Sequence, residues 1–380
     1  MLDLRFLIAI AMAGTAWAGP RKPKPVPTDG TAAPVAPPEP AALPDWDGPF
    51  PVDGALVPLG GTPLGLPSAS AQTCNACHTE SHDQWAASAH RTQPHLPLVQ
   101  EQAHALQAPQ CLRCHQPLDV QHPSMPSAEA SLAPQPTNPH WQPTLQVEGV
   151  TCAACHVRDG TVLTSDPLVQ PPAAHANMAH AAELGDNRAC ASCHQLTWPG
   201  AAQPLYDTYG EWERSAQGKA GIGCTDCHGG PASQGIHAVH QPFDRALTVD
   251  LSLDASTLVR AGAPVSATLT VLNTGAGHAV PTGSPWSRTA LEVTLVSPHP
   301  DAAAVPLVTH TLARTVSPEP PWSVESDTRI PAGGSLELPF EAALPAEVRA
   351  GIWSVRVVFT ETHGEQMNVR WERRYPLRVE

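Results

Sequence analysis

Cys152-Ala153-Ala154-Cys155-His156 is a C-x-x-C-H pentapeptide. The pattern recurs in Cys74-Asn75-Ala76-Cys77-His78, Cys111-Leu112-Arg113-Cys114-His115, Cys190-Ala191-Ser192-Cys193-His194 and Cys224-Thr225-Asp226-Cys227-His228. All ten cysteines of the 380-residue chain lie in these five units. C-x-x-C-H is the attachment pattern of a c-type haem: two thiols add to the two vinyl groups, and the adjacent imidazole reaches the iron. Five disulfides or paired zinc sites would use the cysteines but leave the histidines unexplained. With 19 histidines in 380 residues, five chance placements have odds of roughly 10⁻⁷. Five covalently bound haem c groups are therefore expected, held by Cys74, Cys77, Cys111, Cys114, Cys152, Cys155, Cys190, Cys193, Cys224 and Cys227. His78, His115, His156, His194 and His228 are the expected proximal ligands.

Around the motifs the chain divides by texture. Residues 1–18 read as a signal peptide: Arg5, an apolar run from Phe6 to Ala13, then the small-x-small site Ala16-Trp17-Ala18. Export to the periplasm or cell exterior follows, with Gly19 as the first mature residue. Residues 19–70 are crowded with Pro, Ala and Gly and read as an extended linker that buries no core. Residues 71–245 hold all five motifs, separated by 37, 41, 38 and 34 residues. Short helical patches such as Ser81–His90 and Leu205–Ser215 alternate with Pro-rich loops, and the macrocycles are expected to supply the missing apolar volume.

Residues 246–380 change register. Leu247–Leu253, Val265–Leu272, Leu291–Val296, Ser335–Phe340, Trp353–Phe359 and Val369–Val379 alternate apolar and polar side chains. Short alternating strands with Gly and Pro turns predict an antiparallel, immunoglobulin-like β-sandwich. The expected fold is thus a multihaem cytochrome c domain of short helices and loops, followed by an all-β sandwich. A net charge of −14 argues against a nucleic-acid partner and suits docking to a basic patch on a redox partner.

The distal ligands decide between carrier and catalyst. Methionine is scarce: beyond the signal only Met125, Met178 and Met367 remain. Histidine is abundant, so histidine on both faces of most irons is expected, with low potentials. One of His237 and His240 is expected to ligate after the fifth motif, with His240 preferred. One of His175 and His180 is expected before the fourth, and the sequence does not separate them. His122 and His140 stand evenly between ligand and loop residue. His82 is too near His78 to reach over the same ring. His299, His310 and His363 read as structural. Trp85, Trp141 and Trp212 fit either haem edges or ordinary packing.

The order of these segments resembles the c-554-like multihaem cytochromes over residues 70–290. The matching pieces begin with His78, Trp85, Ser88 and His90 in C-x-x-C-H-x₆-W-x-x-S-x-H. Glu148-Gly-Val-Thr-Cys152, Glu211-Trp212-x-x-Ser215 and Asn273-Thr-Gly-Ala-Gly-His-Ala-Val-Pro-Thr-Gly283 follow. The resemblance implies that His90 is a distal ligand to a haem other than its own. It also implies that His278, in a Gly-rich loop of the sandwich, is another, so that the sandwich caps the haem domain. The first functional expectation is electron transfer between a quinol-linked donor and a terminal reductase or surface acceptor, with membrane or cell-surface association open. The second is a reductase of a small nitrogen or sulfur oxyanion at one five-coordinate haem. The third is an assembling structural cytochrome.

Overall fold

The structure, a computed structural model, describes residues 56–92, 109–124, 136–168, 175–198, 200–229, 237, 243–253, 258–260, 262–299, 301, 303–319, 321–344, 349–363 and 366–380. All belong to the unit Pro40–Glu380. The signal peptide, residues 19–55 of the expected linker, and His240 lie outside the described residues. No helix among the described residues is long and apolar enough to cross a membrane.

The motif-bearing region is built from short pieces. The longest described helix, Thr79–Ala86, has eight residues. The expected single helix over 81–90 is two, Thr79–Ala86 and Ala89–Thr92. The Ser88 amide and hydroxyl both turn back to the Trp85 carbonyl, at 2.9 and 2.7 Å, and break the run. Between helices lie β1 (Val157–Arg158), β2 (Thr161–Thr164) and β3 (Met178–His180) in one small sheet, and β4 (Gln195–Thr197) with β5 (Pro204–Asp207) in another.

The end of the expected linker is not extended away from the protein. Val57 and Leu59 are buried beside Leu118, Val120 and Leu145. Val57 donates to the Pro117 carbonyl, accepts from the Asp119 amide, and leaves Leu59 to bond the Asp119 carboxylate. Two apolar side chains at alternate positions suffice to dock this Pro- and Gly-rich stretch, which composition alone assigns to a spacer.

From residue 247 the chain is antiparallel β-structure with one parallel edge. Its strands are β6 (Leu247–Leu253), β7 (Leu258–Val259), β8 (Pro264–Asn273), β9 (Arg288–Val296), β10 (Val305–Val316), β11 (Val324–Asp327), β12 (Ser335–Ala343), β13 (Gly351–His363) and β14 (Gln366–Val379). They form a six-stranded sheet, β11-β10-β9-β13-β14-β7, and a three-stranded sheet, β12-β8-β6. Alternation places Val265, Ala267, Leu269 and Val271 of β8 on one inner face and Leu291, Val293 and Leu295 of β9 on the other. Val355, Val357 and Phe359 of β13 join the same core. Two sheets sharing one apolar interior are compatible with a β-sandwich. The strand β10 carries Pro306 and shifts register between Pro306 and Val308, which hides its alternation in the sequence.

Candidate functional site

Each pentapeptide sits on a helical turn: Ala71–Asn75 running into Cys77 and His78, then Pro109–His115, Cys152–His156, Arg188–His194 and Cys224–His228. On a helix, positions three and four apart share a face, so both thiols and the histidine of each unit turn the same way. Buried Ala153, Ala154 and Ala191 inside the motifs let these turns pack closely. None of the ten cysteines is joined in a disulfide.

Three motif histidines face a second imidazole across a gap. His78 and His175 have ring centroids 6.0 Å apart with planes inclined by 8°. His156 and His237 are 6.2 Å apart at 25°, and His228 and His278 are 6.0 Å apart at 18°. Aromatic rings in direct face-to-face contact stand far closer, since carbon atoms touch at about 3.5–4.0 Å. The His156 Nδ1–H donates to the Leu163 carbonyl at 3.0 Å and the His278 Nδ1–H to the Ala279 carbonyl at 2.9 Å. A carbonyl only accepts, so Nε2 is the lone-pair nitrogen in both rings, the tautomer a metal ligand needs. Nδ1 of His175 is a buried nitrogen with no hydrogen-bond partner among the described residues. Burial pushes His156, His278, His90 and His115 below the ordinary imidazole range. It takes His194, ringed by His90, His228, His115 and His278, down to about 4. Neutral imidazoles are the ligating form.

His90, on the helix Ala89–Thr92, lies close enough to His115 to depress its protonation. His180 lies exposed on β3, its Nε2 bonded to the Ser165 carbonyl at 3.1 Å. Of the two candidates before the fourth motif, His175 is the one opposite a motif imidazole. After the fifth motif His237 is so placed; the preferred candidate, His240, falls outside the described residues. His122 is buried, with Nε2 donating to the Gln116 carbonyl at 2.8 Å, and His140 is exposed. Sequence spacing does not separate His175 from His180, and its preference for His240 over His237 took no account of His156, because the opposed motif is remote in the chain.

Neighbouring motifs touch. Cys152, Cys114 and Cys190 each lie near a cysteine of another motif, Cys74, Cys193 and Cys224 in turn. The neighbouring cysteine, and then burial, push the Cys152, Cys114 and Cys190 thiols well above their usual range. Two polar side chains hold the pairs. Buried Glu148 accepts from the Ser70 hydroxyl at 2.5 Å, the Ala71 amide at 3.0 Å and the Thr151 hydroxyl at 2.5 Å, joining the first motif to the third. Oδ1 of Asn187, which precedes the fourth motif helix, accepts from the Cys224 amide at 2.7 Å and joins it to the fifth. Neither role was read from the sequence; the position of Glu148 four residues before Cys152 was its only signal.

The His278 loop is docked on the motif region. Glu211, on the helix Thr208–Arg214, accepts from the Ala279 amide at 2.9 Å and from Arg329 Nη2 at 2.8 Å. Thr208 and Thr282 share a 2.9 Å hydrogen bond. The approach demands glycine: a Cβ on Gly275 would lie 1.7 Å from the Arg245 carbonyl oxygen, and one on Gly277 would lie 3.0 Å from Trp212 and Ser215 atoms. Asn273 pins the loop from the sheet, donating to the His278 carbonyl at 2.8 Å.

Among the described residues no three His, Cys, Asp or Glu side chains converge as a bare ion would require. The donor set is instead opposed imidazoles beside thiol pairs, which fits a flat, thiol-anchored metal macrocycle.

No protein-family model matches the chain, and no curated protein matches it. Among solved structures, a CARDB domain from Pyrococcus furiosus is 14% identical over 35% of this chain and 87% of that one, with a TM-score of 0.22. A superoxide reductase (neelaredoxin) from Ignicoccus hospitalis is 13% identical over 38% and 91%, with a TM-score of 0.21. A β-glucosidase from Listeria innocua is 12% identical over 35% of this chain but only 16% of its own, with a TM-score of 0.20. Likenesses this weak carry nothing about function.

Proposed function

We propose that this chain is an exported pentahaem c-type cytochrome, similar to the c-554-like multihaem cytochromes, that transfers electrons through low-potential, mostly bis-histidine centres. The observation that supports it most is the spacing of the three imidazole pairs. Two metal–nitrogen bonds of about 2 Å, with the distance from each ligating nitrogen to its ring centre, come to roughly 6 Å. The pairs stand at 6.0, 6.2 and 6.0 Å. On this reading Cys152, Cys155, His156 and His237 hold one haem; Cys74, Cys77, His78 and His175 a second; and Cys224, Cys227, His228 and His278 a third. His115 with His90, and His194, serve the remaining two motifs. The motif domain is then a multihaem domain completed by an immunoglobulin-like sandwich.

Bound haem iron supplies one-electron redox chemistry; the chain supplies ligands, orientation and a dry surround. Bis-histidine ligation favours lower potentials than histidine–methionine ligation. Met367 is exposed and Met178 lies on β3, opposite none of the motif histidines in the pairs above. The Glu148 and Asn187 hydrogen bonds between motifs support close neighbouring centres, which suits electron passage between a quinol-linked donor and a terminal reductase or surface acceptor.

A pyridine haemochrome assay on the exported protein tests the reading. Five haems per chain are expected from the five motifs; fewer than four would overturn it. Electron paramagnetic resonance of the ferric protein separates carrier from reductase. Low-spin signals alone support the carrier, and a high-spin signal with turnover of a nitrogen or sulfur oxyanion supports the reductase.

A further inference from the structure

Two short segments repeat: Trp85-Ala86-Ala87-Ser88-Ala89-His90 and Trp212-Glu213-Arg214-Ser215-Ala216-Gln217. Each meets a second repeated segment leading into a C-x-x-C-H turn, Gly149-Val150-Thr151-Cys152 or Gly221-Ile222-Gly223-Cys224. The contacts match bond for bond. The indole N–H of Trp85 donates to the Val150 carbonyl at 2.7 Å, and that of Trp212 to the Ile222 carbonyl at 2.8 Å. The Val150 amide donates to the His90 carbonyl at 3.0 Å, and the Ile222 amide to the Gln217 carbonyl at 3.0 Å. The Ser88 and Ser215 hydroxyls each turn back to their own tryptophan carbonyl at 2.7 Å. Gly149 and Gly221 both take positive φ, 68° and 75°, a region glycine enters without strain.

The two copies differ in how the chain reaches them. Trp85 and Val150 are 65 residues apart, Trp212 and Ile222 only ten. The same geometry from a long-range and a local connection points to a device rather than a by-product of chain proximity. The helix after the first motif docks the third motif in one copy, and the helix after the fourth motif docks the fifth in the other. Glu148 and Asn187 tie the same two pairs from their other side. In the second copy Gln217 stands where His90 stands in the first, and its amide reaches the Thr274 and Gly275 carbonyls at 3.3 and 3.4 Å, in the loop that carries His278.

We infer that Trp85 and Trp212 are positioning residues of one docking module used twice: each fixes, through its indole N–H, where the third and fifth motifs present their haems relative to the first and fourth. The inference rests on the haem reading above.

The holoprotein is compared with Trp85→Phe, Trp212→Phe and the double variant, which keep an aromatic ring but lose the donor. Trp141→Phe is the control, because Trp141 is exposed and donates only to the Gln146 side chain. Haem number by mass, Soret circular dichroism and stepwise redox titration are read for each. Both single variants are expected to keep five haems. Each loses part of the bisignate Soret signal and shifts the potentials of its own pair, with the losses adding in the double variant and the control unchanged. Gly221→Ala meets no atom within 4 Å and disturbs only the backbone turn, so it reproduces the Trp212→Phe change should that variant fold poorly. Wild-type Soret dichroism and potentials in both tryptophan variants would overturn the inference. A wild-type protein without haem fails the parent reading instead, before any variant is made.

Discussion

His278 sits at the end of a chain of constraints: its Nδ1 is committed to the Ala279 carbonyl, whose own amide bonds Glu211, which in turn holds Arg329. On the proposed haem reading His278 is a ligand, and changing it while keeping the loop isolates its electronic part. His278→Met is expected to raise the midpoint potential of one centre, by a fraction of the roughly 0.8 V that axial ligands span, as read by redox titration. Glu211→Ala acts on the support. Arg329 is nearly buried, 9% exposed at its side chain, and loses one carboxylate while the Asp327 contact at 2.7 Å remains. Removing one member of such a pair costs about 3 kcal/mol, and a lower melting temperature of the holoprotein checks it. At this scale the five pentapeptides were legible as a repeated pattern, and each sits on a helical turn, because five residues in fixed order need no distant partner to be recognised. The sequence preferred His240 to His237 and did not separate His175 from His180, because which imidazole stands opposite a motif histidine is chosen by the fold and not by its distance along the chain.

Elements show the same division. Strands β6, β8, β9, β12, β13 and β14 could be read from alternation, since one face of each meets the core. β10 could not, because Pro306 and the register shift beside it break the period. Val57 and Leu59 were hidden for another reason: two apolar residues in a Pro- and Gly-rich stretch look like a spacer until Leu118 is brought opposite. The β13–β14 ladder offers a pH test. The Arg356 hydrogen bond, with Arg374 adding to it, holds the Glu372 carboxyl down at about 2, against an ordinary 4.5. A depressed carboxyl contributes stability that is fully present above pH 4.5 and is lost as pH falls through about 2. The group is partly exposed, so Glu372→Gln is expected to cost no more than about 1 kcal/mol near neutrality. The difference from wild type should vanish in acid, as followed by urea midpoints across the pH range.

Across the whole molecule the apolar material is unevenly shared. Among the described residues the sandwich core gathers 21 buried side chains, whereas the cluster around Leu118 has nine and the one around Trp322 three. A chain made without haem attachment is therefore expected to keep its sandwich and to lose order over the motif region. Limited proteolysis should leave a protected fragment beginning close to β6, and the loaded protein should resist over both regions; equal resistance without haem would refute this. The closeness of the motifs bears on how such a chain is made. In the folded arrangement Glu148 ties the first motif to the third and Asn187 the fourth to the fifth, so that cysteines of different pentapeptides become neighbours. On the proposed reading of an exported haem protein, a chain that compacts too early in an oxidising compartment would cross-link motif to motif and exclude the haems. The same reading orders maturation: thiols kept reduced and thioethers closed first, with collapse afterwards.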